Sequence, residues 1–304
     1  MTAGGSPASR ARLVAAFAAV YVVWGSTYLA IRYGVETIPP FLMVGSRFLI
    51  SGALLVWWSR VTGAEKPDRS HWRAAAITGV LLLCGGNGSV AWAEQRVPSG
   101  ITALLVAVVT LWMVLIDWLR PGGTRPRLSM FLGVALGMGG LYLLVRPDAH
   151  ARGLAVDVAG ATVLMLGSLS WAAGSIYSRY GAHPRSAALT TGMQMLVGGA
   201  VLVLMSLAAG ELPRFDIRGI SLASALGWLY LVTFGSLVGF TAYIYLLRAT
   251  TPAKAATYAY VNPLVAVFLG WAVAGESITT RTVVAAGVIL SGVAIITLTR
   301  TDEH

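Results

Sequence analysis

Ten times along this chain of 304 residues, a stretch of roughly twenty residues passes between one charged cluster and the next. The apolar runs are 13–31, 37–59, 74–93, 97–116, 128–145, 158–178, 186–210, 219–247, 255–275 and 282–299. A bilayer core is crossed by about 20 apolar helical residues, so each run is long enough or nearly long enough for one crossing. In lipid every backbone N–H and C=O needs a partner within its own segment, which leaves helices as the answer. The runs are too uniformly apolar for barrel strands, which alternate in short segments. Only 11% of the chain is charged, against about a quarter in soluble domains, and its mean hydropathy is +0.74. A soluble fold and a nucleic-acid-binding surface are therefore poor readings of the +10 net charge. The predicted fold class is an all-α membrane protein with ten transmembrane helices and a lipid bilayer as its solvent. The first run lacks a clear cleavage site and is read as a retained span.

The chain also repeats itself. Trp24 to Gly34 reappears as Trp171 to Gly181, ending in Arg-Tyr-Gly both times. The same offset sets Gly45 on Gly192, Gly52 on Gly199 and Ala53 on Ala200, and it sets Arg47 on Gln194. A slightly larger offset aligns Gly133, Gly137 and Gly140 with Gly287, Ser291 and Ala294, small faces suited to close helix contact. Self-similarity of this kind marks a duplicated unit. Residues 1–148 are expected to form a first five-helix repeat and residues 149–304 a second. Five is odd, so the second copy crosses the membrane in the opposite sense, an inverted repeat with a site near midplane. With the N-terminus placed inside, the inner loops hold about twice as many Lys and Arg as the outer ones, which predicts both termini cytoplasmic.

The motifs Val23-Trp24-Gly25-Ser26-Thr27-Tyr28, Arg47-Phe48, Thr257-Tyr258-Ala259-Tyr260-Val261-Asn262-Pro263, Gly275-Glu276 and Gly287 occur in order along the chain. On these the sequence resembles the drug/metabolite transporter superfamily, of the EamA type. The resemblance covers nearly the whole chain. It implies a bacterial inner-membrane carrier, often an exporter of amino acids, metabolites or drugs. The first half departs from the pattern: Thr110 stands where the second half has Pro263, and no Glu follows its fourth span.

Candidate binding residues are the polar and aromatic side chains that interrupt apolar runs. An arginine at the centre of a span costs roughly 2.5–3.5 kcal/mol on insertion scales. Arg47 must then face the protein interior or a water-filled cavity, as a substrate carboxylate's partner or as a tie between helix ends. Gln194 keeps the hydrogen bonding without the charge. Trp24 with Tyr28, and Trp171 with Ser175, are spaced four apart and share helix faces as cavity walls or as packing. Gly85-Gly86-Asn87-Gly88 weakens its helix, and Asn87 can bond freed backbone or substrate. Tyr258 and Asn262 precede Pro263, which lacks an N–H and is expected to kink the helix. Tyr243 and Thr110 complete the set. Trp92 and Glu94 read as interface residues.

No metal-ligand spacing, nucleotide loop or mid-span lysine appears, so no cofactor is expected. The predicted function is a secondary transporter of small organic metabolites by alternating access, as an exporter on family likeness. Proton or exchange coupling and a monomer or homodimer both stay open. The alternatives are an intramembrane enzyme, which lacks a buried nucleophile with its base, and a passive channel.

Overall fold

The computed structural model describes residues 7–97, 102, 105–123, 125–145, 157–274 and 279–298. Those residues form helices and connecting turns, with no strand among them. In chain order the helices are α1 (Pro7–Thr37), α2 (Pro40–Val61), α3 (Arg69–Ala93), α4 (Val109–Leu119), α5 (Leu128–Val145), α6 (Val158–Tyr180), α7 (Ala187–Ala208), α8 (Leu222–Ala249), α9 (Tyr258–Ala274) and α10 (Thr280–Leu298). Six of them, α1, α2, α3, α6, α7 and α8, are long and apolar enough to cross a membrane, and three shorter apolar helices accompany them. Large apolar side chains such as Trp57, Trp58, Leu132, Leu166 and Leu204 face outward, where lipid and not water would meet them.

Two of the long helices are wound unusually. Within α3 the backbone from Val80 to Gly88 is π-helical, and within α8 so is that from Leu231 to Phe240. The glycine-rich 85–88 segment, expected to interrupt its span, instead widens the helix without ending it. Glycine tolerates the wider turn because no Cβ crowds it, and π turns recur at functional sites.

The helices associate through glycine. A Cβ at Gly52 would sit 2.9 Å from the Gly192 carbonyl, and one at Gly45 would sit 3.2 Å from the Gly199 carbonyl. A Cβ at Gly192 or Gly199 would in turn press on the carbonyls of Gly52 or Gly45 at 3.0 Å. The glycines of α2 and α7 thus pair crosswise, 45 with 199 and 52 with 192, and hold the two backbones together. The Glu211 carboxylate accepts the Phe41 and Leu42 N–H groups at 3.3 and 2.9 Å, capping the first turn of α2 from the end of α7. In the same way α5 lays Gly133 and Gly140 against α10. The partner face on α10 is Ala285, Ile289, Gly292 and Ile296. The small face expected there, Gly287, Ser291 and Ala294, is exposed, and nothing lies within 4 Å of a Cβ at Gly287. The α10 contact follows its larger apolar residues because those recover more buried area.

The bundle has two ends. One carries the 38–39 turn and Glu211; there Ser221 N–H donates to Thr37 at 3.2 Å. The other carries the 62–68 segment, where the Arg185 N–H donates to Glu65 at 2.6 Å.

Candidate functional site

A cavity of about 100 Å³ lies between α1, α2, α3, α6, α8 and α9, with two residues from the α4 region. Its floor is aromatic. Trp24 packs against Trp171, Phe240, Tyr243 and Tyr258, with ring centroids 4.9 to 5.7 Å apart, mostly tilted or edge to face. Such geometries suit the ring quadrupoles better than a flat sandwich. Hydrogen bonds fix the indoles. Trp24 Nε1 donates to the Gly235 carbonyl at 3.1 Å, in the π-helical part of α8. Trp171 Nε1 donates to the Tyr243 hydroxyl at 3.0 Å, and that hydroxyl also meets Ser175 Oγ at 2.7 Å. Above the floor the wall residues of α1 are Thr27 and Ile31, and those of α3 are Asn87 and Val90. Both pairs lie on the 38–39 side of the floor, so the cavity extends toward that end.

Arg47 enters this wall from α2 and is almost fully buried, at 3% exposure. It stands seven residues after Pro40 in a 22-residue helix, so it is nearer the 38–39 end than the span centre expected from the sequence. One guanidinium nitrogen donates to Asn87 Oδ1 at 3.0 Å, while Nε is buried without a partner. A buried donor left unmatched costs about 1–3 kcal/mol, so the site is poised to accept an oxygen. Asn262 also lines the cavity. In the amide orientation that suits its neighbours, it donates to the carbonyls of Tyr258 at 3.1 Å and Tyr21 at 3.3 Å. Pro263 lies inside α9 directly after it.

The expected residues therefore separate into groups. Trp24, Arg47, Asn87, Trp171, Tyr258 and Asn262 share the cavity wall. Tyr243 and Ser175 stand behind its floor, fully buried, and hold Trp171. Thr110 is buried beside the turn that precedes α9, where it donates to the Ala256 carbonyl at 3.4 Å. Gln194, the counterpart of Arg47, does not line this cavity. It is buried toward the 62–68 end, where it donates to Ser178 Oγ at 3.3 Å and backs onto Gly79. Tyr28 belongs to α1, but its side chain lies outside the described residues, as do Gly275 and Glu276. Residues not anticipated include Phe240, Gly235, Val90 and Ser168. Of these, Val90 was detectable, since it shares a helix face with Asn87.

The 62–68 end is tied shut by polar contacts. Arg179 donates to the Leu247 carbonyl at 2.5 Å and also to that of Thr250. Arg120 reaches Asp117 at 2.8 Å and the Tyr180 hydroxyl at 2.6 Å, and Tyr180 in turn donates to Asp117 at 3.1 Å. Arg248 donates to Thr190 at 2.7 Å.

A largely apolar cavity with Arg47, Asn87 and Asn262 in its wall, inside a bundle of membrane-crossing helices, is the architecture of a membrane transporter. The chain belongs to the EamA-like transporter family, whose pattern matches residues 12–146 and 158–298. It is 40% identical to the "uncharacterized inner membrane transporter YedA" of Escherichia coli K12, over 94% of this chain and 90% of that protein. It is 26% identical to protein PecM of Dickeya dadantii, over 82% of this chain and 80% of that one. A solved crystal structure superposes with a TM-score of 0.76 at 20% identity, covering 95% of this chain and 97% of the other. The chain is a multi-pass inner-membrane transporter and not an enzyme.

Proposed function

We propose that the protein is an alternating-access carrier for small organic substrates bearing a carboxylate or similar anionic group, amino acids and related metabolites foremost. Export is the direction suggested by family likeness. The observation that carries this reading is the Arg47 guanidinium, buried in the cavity wall with Nε unmatched. A carboxylate can accept from such a group with charge-assisted geometry, while the aromatic floor takes the apolar part of the substrate.

Ten spans built as two inverted five-helix repeats, with both termini cytoplasmic, fit the same reading. Three observations support it: the crosswise glycine pairing of α2 with α7, the matching π-helical stretches in α3 and α8, and the closed end set against the extended cavity. The two halves would rock about the cavity, exposing it alternately to each side.

The test is counterflow in sealed vesicles holding the purified protein, with a panel of labelled amino acids and organic acids. A carrier shows uptake stimulated by unlabelled substrate on the far side, and a channel does not. Arg47→Gln is expected to weaken transport of carboxylate substrates about tenfold or more, since hydrogen bonds to charged groups are worth about 1.5–3 kcal/mol. Unchanged kinetics in a folded variant would remove Arg47 from substrate recognition.

A further inference from the structure

Glu94 is a half-buried carboxylate. It follows the last residue of α3, and its N–H donates to the Val90 carbonyl at 2.9 Å. It therefore stands one turn beyond Val90, on the helix face that Asn87 and Val90 present to the cavity. Its Oε1 is buried and has no hydrogen-bond partner. The opposite charge acting on it is Arg47, whose Nε is buried and unmatched in the same way. The two do not form an ion pair within 4.0 Å.

Among the described residues, few other groups compete. Besides Arg47, α2 carries only Arg60, at its far end. The packed α6 offers Asp157 at its first turn and Tyr177, Arg179 and Tyr180 at its opposite end. On α3 itself Cys84 lies deeper, donating to the Gly198 carbonyl at 3.3 Å. Arg96 just beyond folds over the Trp92 ring at 4.3 Å. Glu211, near the same end, is occupied with the start of α2.

We propose that Arg47 in the cavity wall and Glu94, one turn beyond it, are a charge-balanced pair, so that binding of a monoanion is linked to uptake of one proton by Glu94, whereas a zwitterion binds without one. The inference rests on the cavity being the substrate site. A low-dielectric site strongly disfavours net charge. The empty cavity holds Arg47⁺ and Glu94⁻, which sum to zero. A bound carboxylate neutralises Arg47 and leaves Glu94 uncompensated, so the cheapest neutral state takes a proton from solvent onto the Glu94 carboxylate. A zwitterion supplies its own cation for Glu94, and no proton is needed. Glu94 thereby separates anionic substrates, each carried with a proton, from zwitterionic ones carried alone.

The probes are 3-phenylpropionate and L-phenylalanine, which share a ring and a carboxylate and differ in the ammonium group. The purified full-length chain is used in detergent. First, without ligand, infrared difference spectra between pH 5 and pH 8 are expected to show a protonated-carboxyl band that is lost in Glu94→Gln. Second, binding is followed through indole fluorescence at the cavity floor, and proton uptake through a pH dye in weak buffer. For the unsubstituted protein, phenylpropionate affinity should fall about tenfold for each pH unit above the Glu94 midpoint, as one linked proton requires. One proton should be taken up per anion bound, and none with phenylalanine. In Glu94→Gln the anion should bind with no pH dependence. Absence of the Glu94-dependent band, proton-free binding of the anion, or a pH dependence that survives in Glu94→Gln would each overturn the proposal. Should neither probe bind while the band is present, the cavity reading itself fails, and the linkage with it. The proton count on the unsubstituted protein decides the matter even where the variant does not fold.

Discussion

At the level of single residues, one hydroxyl holds the Trp171 side of the floor. The Tyr243 oxygen accepts from Trp171 and shares a proton with Ser175, all within a buried environment. Tyr243→Phe keeps the ring and leaves the indole N–H unmatched, a loss of about 1–3 kcal/mol. A lower melting temperature in detergent and an altered substrate KM are expected; an unchanged KM would mean that Trp171 does not touch substrate. A second residue gives a pH signature. His183, in the loop between α6 and α7, is pushed down from 6.5 to about 4 by burial and by Arg248, with its bond to the Ser178 backbone working the other way. The folded protein then favours neutral imidazole. Stability is fully present above pH 6.5 and declines as pH falls from there toward 4, because the unfolded chain takes up the proton first. The drop in melting temperature between pH 7 and pH 5 should shrink in His183→Gln. Single residues also mark where the sequence speaks and where it is mute. Arg47, Asn87 and the two tryptophans stand out because a polar or bulky group inside an apolar run needs a reason. Glu94 does not stand out, since a carboxylate at the end of a run looks like any solvated terminus, and only the fold shows one of its oxygens to be enclosed. Gln194 misleads for another reason. Alignment with Arg47 implies a matching environment, but Arg47 lines the cavity while Gln194 packs toward the other end, against Ser178 and Gly79.

Among the helices, glycine pairing decides who packs against whom. A side chain at Gly52 meets the backbone of Gly192, which cannot swing aside. Gly52→Val is therefore expected to cost about 1–3 kcal/mol by overpacking. Gly287→Ala, with open space around it, should be neutral or should gain up to about 1 kcal/mol of helix propensity. Thermal unfolding of both variants in one detergent checks the contrast, and equal losses would contradict the seam. Helix existence was readable because lipid demands long apolar segments whatever their partners. Partner choice was half readable: the repeated glycines of α2 and α7 do meet, while the small residues aligned on α10, Gly287, Ser291 and Ala294, face away. The alignment carries spacing but not rotation, and rotation follows the bulkier residues. The π-helical winding leaves only a hint, the glycines at 85, 86 and 88, which signal a weakened helix and not a wider one.

For the molecule as a whole, the alternating-access proposal makes the polar ties at the 62–68 end the contacts that hold the bundle closed there. Removing Arg179 deletes its bonds to the Leu247 and Thr250 carbonyls and loosens its neighbour Tyr180. On the alternating-access proposal, each 1.4 kcal/mol so lost shifts the populations about tenfold away from the present state. Val90→Cys, in a Cys84→Ser background, supplies a reporter on the cavity wall. Its labelling by an impermeant maleimide should fall severalfold when Arg179→Gln is added, and unaltered labelling would mean that Arg179 is not a gate.

The seam between α2 and α7 plays the opposite part. Its backbones touch directly, and Glu211 bolts the end of one helix to the start of the other. Contacts that survive in every conformation add the same free energy to each and cancel from the difference. Damage along this seam should then lower how much transporter survives, while each surviving molecule keeps its bias toward one side or the other. Damage at the ties should do the reverse. Loss-of-function variants in this chain would thus sort into a change of number and a change of poise, two phenotypes that protein abundance and per-molecule flux tell apart.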